Sequence, residues 1–168
     1  MILRGPRVLL RPLDQADVPR LAEILAESEV ARWWGAWDEQ RIRAEILEDE
    51  ETEPYAVVQD GELIGLAIVS EELDPDYRHA ALDLSLATSA HGHGLGGETL
   101  RVLARHLFKE RGHHRLTIDP AAHNTRAIRA YERVGFRPVG VMRLYERGYG
   151  GTWHDGLLMD LLAADFED

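Results

Sequence analysis

Residues 91–97 read His-Gly-His-Gly-Leu-Gly-Gly, and this short run constrains the fold more than any other part of the chain. It follows an apolar stretch, residues 80–87, that reads as a strand. It precedes a segment in which Leu100, Leu103, Ala104 and Leu107 share one helical face. A chain that passes from strand through glycines into a helix points several unpaired backbone N–H groups, and the positive end of the helix dipole, at one place. Glycine lets that backbone approach an anion with no Cβ in the way. The run therefore predicts a phosphate-binding loop with donors at Gly92, Gly94, Gly96 and Gly97; the alternative is a plain tight turn.

The same residues spell G-x-G-x-x-G, and Asp119 follows roughly 20 residues later, as a dinucleotide fingerprint requires. The surroundings argue against that ligand. Only one β-α-β unit follows the glycines, and a hairpin precedes them: residues 54–59 and 62–69 flank Asp60-Gly61, a tight-turn pair that implies antiparallel strands. Elsewhere, residues 7–11 read as a strand, and Asp14 as the N-cap of a helix with Val18, Leu21, Ala22 and Leu25 on one face. Trp33-Trp34-Gly35-Ala36-Trp37 breaks that pattern, and an acidic helix is expected from residue 38 to about residue 51. A strand over residues 115–119 leads to a helix capped by Asn124 and ended by Gly135, then to strands near residues 139–145 and 157–162. The order β-α-α-β-β-β-α-β-α-β-β predicts a mixed α/β (α+β) domain over residues 1–168, with about six or seven strands and about four helices.

Charge narrows the partner. Thirty acidic residues against 19 Lys and Arg give a net charge of -11, which disfavours nucleic acid and favours a polycationic ligand, unless the acidity serves only solubility. The chain has no cysteine, which excludes a catalytic thiol and a Cys-based zinc site. His91, His93, His113 and His114 make no convincing metal site; His113 and His114 are read as strand neighbours pointing to opposite faces. No apolar run approaches the ~20 residues that span a bilayer, and residues 1–6 lack a signal peptide's pattern, so no membrane partner and a cytoplasmic location are expected.

Two motifs in order carry a family resemblance. His91-Gly92-His93-Gly94-Leu95-Gly96 resembles the pyrophosphate loop of the GNAT superfamily of acyl-CoA-dependent N-acetyltransferases, with His91 where that family usually has Gln or Arg. Asn124, Ala127, Tyr131, Gly135 and Phe136 match its next motif at the right spacing. Within the superfamily, Trp33-Trp34-Gly35, Asp119-Pro120 and residues 124–132 most resemble aminoglycoside 6'-N-acetyltransferases. Val141-Met142-Arg143 and residues 153–156 resemble ribosomal-protein N-terminal acetyltransferases, and siderophore-side-chain lysine acetyltransferases share parts of the pattern.

The resemblance implies a GNAT-like sheet whose splayed central strands hold acetyl-CoA, with no metal. It places the cofactor at Leu84, Leu86, His91, Gly92, His93, Gly94, Leu95, Gly96, Gly97, Asn124, Ala127 and Tyr131. A backbone N–H near residues 84–86 would meet the acetyl oxygen. Acetyl transfer needs a neutral amine, while a lysine-like amine has a pKa of ~10.4. A carboxylate must therefore take a proton, and Asp83 in the strand over residues 80–87 is the expected base. The resemblance makes Tyr131 the expected acid for the leaving thiolate; the alternative is a core tyrosine, since it falls on an apolar helix face. Trp33, Trp34, Asp83 and Asp119 would bind the acceptor, an aminoglycoside 6'-amine. The acidic residues Glu45, Glu48, Asp49, Glu50, Glu51 and Glu53 are either solvated surface or further contacts to a cation. A protein N-terminus and a siderophore lysine remain open as acceptors, and a non-catalytic acyl-CoA-binding module as a different class. A monomer or a homodimer is expected.

Overall fold

The computed structural model describes residues 1–148 and 150–168. Two short strands, β1 (Leu3–Arg4) and β2 (Leu9–Pro12), open the chain. Helices α1 (Val18–Ala26), α2 (Ser28–Trp34) and α3 (Glu39–Ile42) follow, the last running into a π-helical turn, Arg43–Leu47. Strands β3 (Thr52–Gln59), β4 (Glu62–Glu72) and β5 (His79–Leu86) then lead to α4 (Leu95–Lys109). Last come β6 (Arg115–Ile118), α5 (Thr125–Val134), β7 (Arg137–Arg147) and β8 (Trp153–Leu162). The described strands form one mixed sheet in the order β1-β2-β3-β4-β5-β6-β8-β7.

Local chemistry sets the boundaries. Asp14 accepts from the Ala16 N–H at 2.7 Å while Asp17 accepts from the Asp14 N–H at 3.0 Å, a reciprocal cap that starts the first helical segment. Asp17 also takes both Arg11 guanidinium nitrogens at 2.7 Å, which ties that cap to β2 and holds the Asp17 carboxyl below its ordinary range. Gly135, at φ +119°, ends α5 by donating to the Tyr131 and Glu132 carbonyls.

Packing occupies both faces of the sheet. On one, Leu100, Leu103 and Leu107 of α4 meet Leu82, Leu116, Phe136, Met159 and Leu161. On the other, Leu21, Ile24 and Leu25 of α1 meet Ile42, Ile46, Ala56 and Leu66. Full burial of each such side chain contributes about 1.5–3 kcal/mol.

The structure corrects several expectations. The tryptophan run is not the point where helix fails: Trp33 and Trp34 form the last turn of α2, which stops at Gly35 with φ +80°. The acidic helix ends at Leu47, because Asp49 instead accepts from the Glu51 N–H at 2.9 Å and the Thr52 hydroxyl at 3.0 Å and turns the chain into β3. His113 and His114 precede β6 rather than lying on it; His113 is buried and His114 exposed.

The decisive feature is the one parallel pair among the described strands. β5 and β6 register only at Ala80↔Leu116 and Ala81↔Thr117 and then diverge, so β5 beyond Ala81 has no strand partner on that side. Next to the opening, β4 carries an extra residue, Ile64, between the pairs Val57↔Gly65 and Val58↔Leu63. A Cβ on Gly65 would lie 2.2 Å from the Ser85 carbonyl oxygen, so only glycine lets β4 and β5 approach there.

Candidate active site

Two clefts open where β5 and β6 part. The first, about 250 Å³, is lined by Leu84, Ser85, Leu86, His91, the glycine loop and the exposed face of α5. Gly92 and Gly94 both take φ +77°, the left-handed region natural to glycine, and Gly94 caps α4. Gly96 comes close under Leu84 and Leu86, where a Cβ would make ordinary contacts at 3.5 and 3.7 Å. Arg7 braces the loop from outside, donating to the His93 carbonyl at 2.9 Å and to Glu98 at 2.8 Å.

His91 bonds inward rather than toward a ligand: its Nε2 meets the Leu86 carbonyl at 2.8 Å, and burial pushes its pKa down, favouring the neutral ring. His93, expected beside the cofactor, is exposed and absent from the cleft lining. Leu95 lines the cleft while its side chain belongs to the core. Asn124 uses its side-chain oxygen to cap α5, accepting from the Ala127 N–H at 3.3 Å, and lines both clefts. Arg126 and Arg133, not singled out from the sequence, also line the first cleft and add positive charge.

The second cleft, about 680 Å³, lies on the other side of Leu84 and Tyr131. Its walls carry Trp33, Trp34 and Trp37 from the α2 side, Asp83 from β5, Asp119 after β6, and Tyr145 and Glu146 from β7. Trp33, Trp34, Leu84, Asn124 and Tyr131 line both clefts, so the two meet there. Glu45 and Asp49 of the acidic run reach the second cleft; Glu53 does not line it and instead pairs with Arg111 at 2.6 Å.

Five carboxylates line this depression against the two guanidinium groups of Arg41 and Arg147, and three of the five, Asp83, Asp119 and Glu146, act on one another. Asp83 remains open to solvent through the cleft mouth, yet protein crowds it. Desolvation first, then the negative charges of Asp119 and Glu146, raise its pKa from 3.8 to about 6. Glu146 is raised as well, chiefly by burial. Asp119 accepts a 2.6 Å hydrogen bond from the Tyr145 hydroxyl, and that bond, with burial, pushes the Tyr145 phenol up to about 12. Tyr131 is buried, and desolvation, with Asp83 and Asp119 nearby, moves its phenol above the ordinary 10.0. Glu146 and Tyr145 escaped the sequence reading; only their place on a strand near the chain end distinguishes them there.

A glycine-lined cleft that opens into a separate carboxylate-lined cleft suits group transfer between two bound molecules. The chain belongs to the GNAT acetyltransferase family: residues 7–137 match its acetyltransferase domain. It is 32% identical over 155 residues to the aminoglycoside N(6')-acetyltransferase type 1 of Klebsiella pneumoniae, an alignment covering 80% of this chain and 76% of the relative. Among solved structures, AAC(6')-Ib in complex with paromomycin and acetyl-CoA is 29% identical with a TM-score of 0.77, covering 95% of each chain. Mycobacterium smegmatis RimJ in complex with CoA-disulfide shares the fold at 24% identity and a TM-score of 0.83, covering all of this chain and 88% of that one. The mixed GNAT sheet and the acetyltransferase class expected from the two motifs are thus borne out. No described helix is long and apolar enough to cross a membrane.

Proposed function

We propose that the chain transfers the acetyl group of acetyl-CoA to the 6'-amine of an aminoglycoside, directly, with both substrates bound. The observation that carries this reading is the meeting of the two clefts at Tyr131, with Asp83, Asp119 and Glu146 all on the side away from the glycine loop. A polycationic amine is drawn to the excess of carboxylates in the second cleft; an anionic carrier is drawn to the loop with Arg126 and Arg133. The loop suits a pyrophosphate because its left-handed glycines Gly92 and Gly94 leave the backbone bare: a Cβ at Gly92 would meet no atom within 4 Å. Gly92, Gly94, Gly96 and Gly97 would hold it, with Leu84, Leu86, Asn124 and Ala127 along the remaining wall. Bound there, acetyl-CoA supplies an activated acyl group and a thiolate leaving group.

The residues divide the proton work. Asp83, with its carboxyl at about 6, is ionised at neutral pH and basic enough to receive the ammonium proton. Asp119, oriented by Tyr145, and Glu146 hold the remaining positive charge. Tyr131 keeps its proton until the thiolate departs. Part of what raises the Tyr131 phenol is the negative charge of Asp83. Protonating Asp83 therefore makes Tyr131 a stronger acid at the moment a proton is required. β5 beyond Ala81 has no strand partner on the β6 side, so a backbone N–H there would be available to the acyl oxygen. Trp33, with Arg32 stacked over its ring at 4.7 Å, and Trp34, packed on the core, would contribute aromatic edges to the wall that meets the acceptor.

The test is free-thiol release from acetyl-CoA with a panel of aminoglycosides, including one with a 6'-hydroxyl in place of the amine. Release with the 6'-amino members alone is expected. Equal release with the 6'-hydroxyl member rejects the acceptor position, and release only with peptides or simple polyamines rejects the acceptor class.

A further inference from the structure

The far wall of the second cleft depends on an irregularity in β7. Met142 pairs with Gly156 and Glu146 with His154, so Arg143, Leu144 and Tyr145 stand opposite the single residue Asp155. Leu144 sits at φ +46°, an uncommon conformation for a residue with a side chain. Bulges of this kind re-aim side chains next to functional sites. Here the strand leaves the bulge with the Tyr145 hydroxyl on Asp119 at 2.6 Å and Glu146 in the cleft wall.

Asp155 holds the irregularity from two directions. Its carboxylate oxygen Oδ1 accepts from the Leu144 N–H at 2.8 Å, at the residue with the unusual φ. Its backbone carbonyl accepts from the Ala122 N–H at 2.8 Å, in the loop joining Asp119 to Asn124. The next residue completes the arrangement: a Cβ on Gly156 would come within 2.8 Å of the Tyr145 ring, so glycine there lets the ring approach β8. Gly156 also bridges Ala121 of the same loop. Asp155 itself does not line the cleft.

We propose that Asp155 is a positioning residue for the amine-binding cleft: its side chain folds the β7 bulge that seats Tyr145 on Asp119 and turns Glu146 inward, while its backbone fixes the loop beyond Asp119. The inference rests on the acetyl-transfer reading of that cleft. It assigns part of the acceptor recognition to a residue that touches neither substrate. It also predicts a particular chemical tolerance: the role needs a hydrogen-bond acceptor at Oδ1, not a negative charge.

The experiment compares Asp155→Ala and Asp155→Asn, each confirmed folded by circular dichroism. Asp155→Ala removes the bond to Leu144 and is expected to raise the acceptor KM about tenfold, in keeping with one lost hydrogen bond, with the acetyl-CoA KM unchanged. Asp155→Asn keeps the accepting oxygen and is expected to behave like the parent. A crystal structure of Asp155→Ala, which needs no acceptor, should show the Tyr145 hydroxyl released from Asp119. If Asp155→Ala does not fold, Gly156→Ala provides the second route, since its methyl displaces the same ring and should raise the same KM. An Asn variant as impaired as the Ala variant, or an Ala variant with the Tyr145–Asp119 bond intact, overturns the proposal. If the parent acetylates no aminoglycoside, the acceptor assignment fails on its own, and the crystal structure still decides the role of Asp155.

Discussion

Asp83 concentrates the conflict between stability and chemistry in one side chain. Crowding by protein, with Asp119 and Glu146 close by, raises its carboxyl to about 6. The folded state therefore binds the Asp83 proton more tightly than the unfolded chain does. That contribution to stability is complete below the ordinary value of 3.8 and is lost as pH rises through about 6. At neutral pH the fold carries an ionised Asp83 at a cost, and the same basicity fits it to take a proton from an amine. Replacing Asp83 with Asn should lower kcat by roughly 100-fold or more, the usual range for a lost acid-base group, while leaving the acetyl-CoA KM near its parent value. The rise in rate as pH passes through about 6 should disappear with it. Thermal unfolding above that pH should show the Asn variant to be the more stable protein. Full activity in that variant, measured by thiol release, would remove Asp83 as the base.

At the scale of elements, function follows from where the sheet fails to stay paired. β5 and β6 separate after two residue pairs, and the glycine loop fills the mouth of the gap. Gly94 is the hinge of that loop at φ +77°, where a side chain costs about 1 kcal/mol in backbone strain. A Gly94→Ala variant should melt a few degrees lower and bind acetyl-CoA more weakly, with the acceptor KM little changed; titration calorimetry with acetyl-CoA checks this. The loop, Asn124 and Tyr131 were legible in the sequence because they lie at fixed short spacings around one helix start and one helix. Asp83 was legible because a charged residue interrupts the apolar run of β5. Glu146, Tyr145 and Arg126 were not, since each reaches its place through tertiary geometry: a bulge in β7 for the first two, the turn of α5 toward the loop for Arg126. The short strand β1 and helix α2 lay hidden for a similar reason. Two paired residues carry no period, and Trp33-Trp34-Gly35 reads as an interruption until Gly35 is seen to end a helix rather than prevent one. His91 shows the converse, a family position whose side chain here turns inward to the Leu86 carbonyl.

At the scale of the whole molecule, a net charge of -11 is put to uneven use. Five acidic residues against Arg41 and Arg147 line the second cleft, while Arg126 and Arg133 outnumber Glu29 at the first. Under the proposed function, a cationic acceptor and an anionic donor would each be drawn to its own side of Tyr131. That separation is the central claim, and the position of the acetyl group in the product tests it most directly. Incubation with acetyl-CoA and an aminoglycoside bearing several amines, followed by NMR of the purified product, should show one acetyl group, on the 6' nitrogen. Acetylation spread over several amines, or confined to another position, would contradict the account.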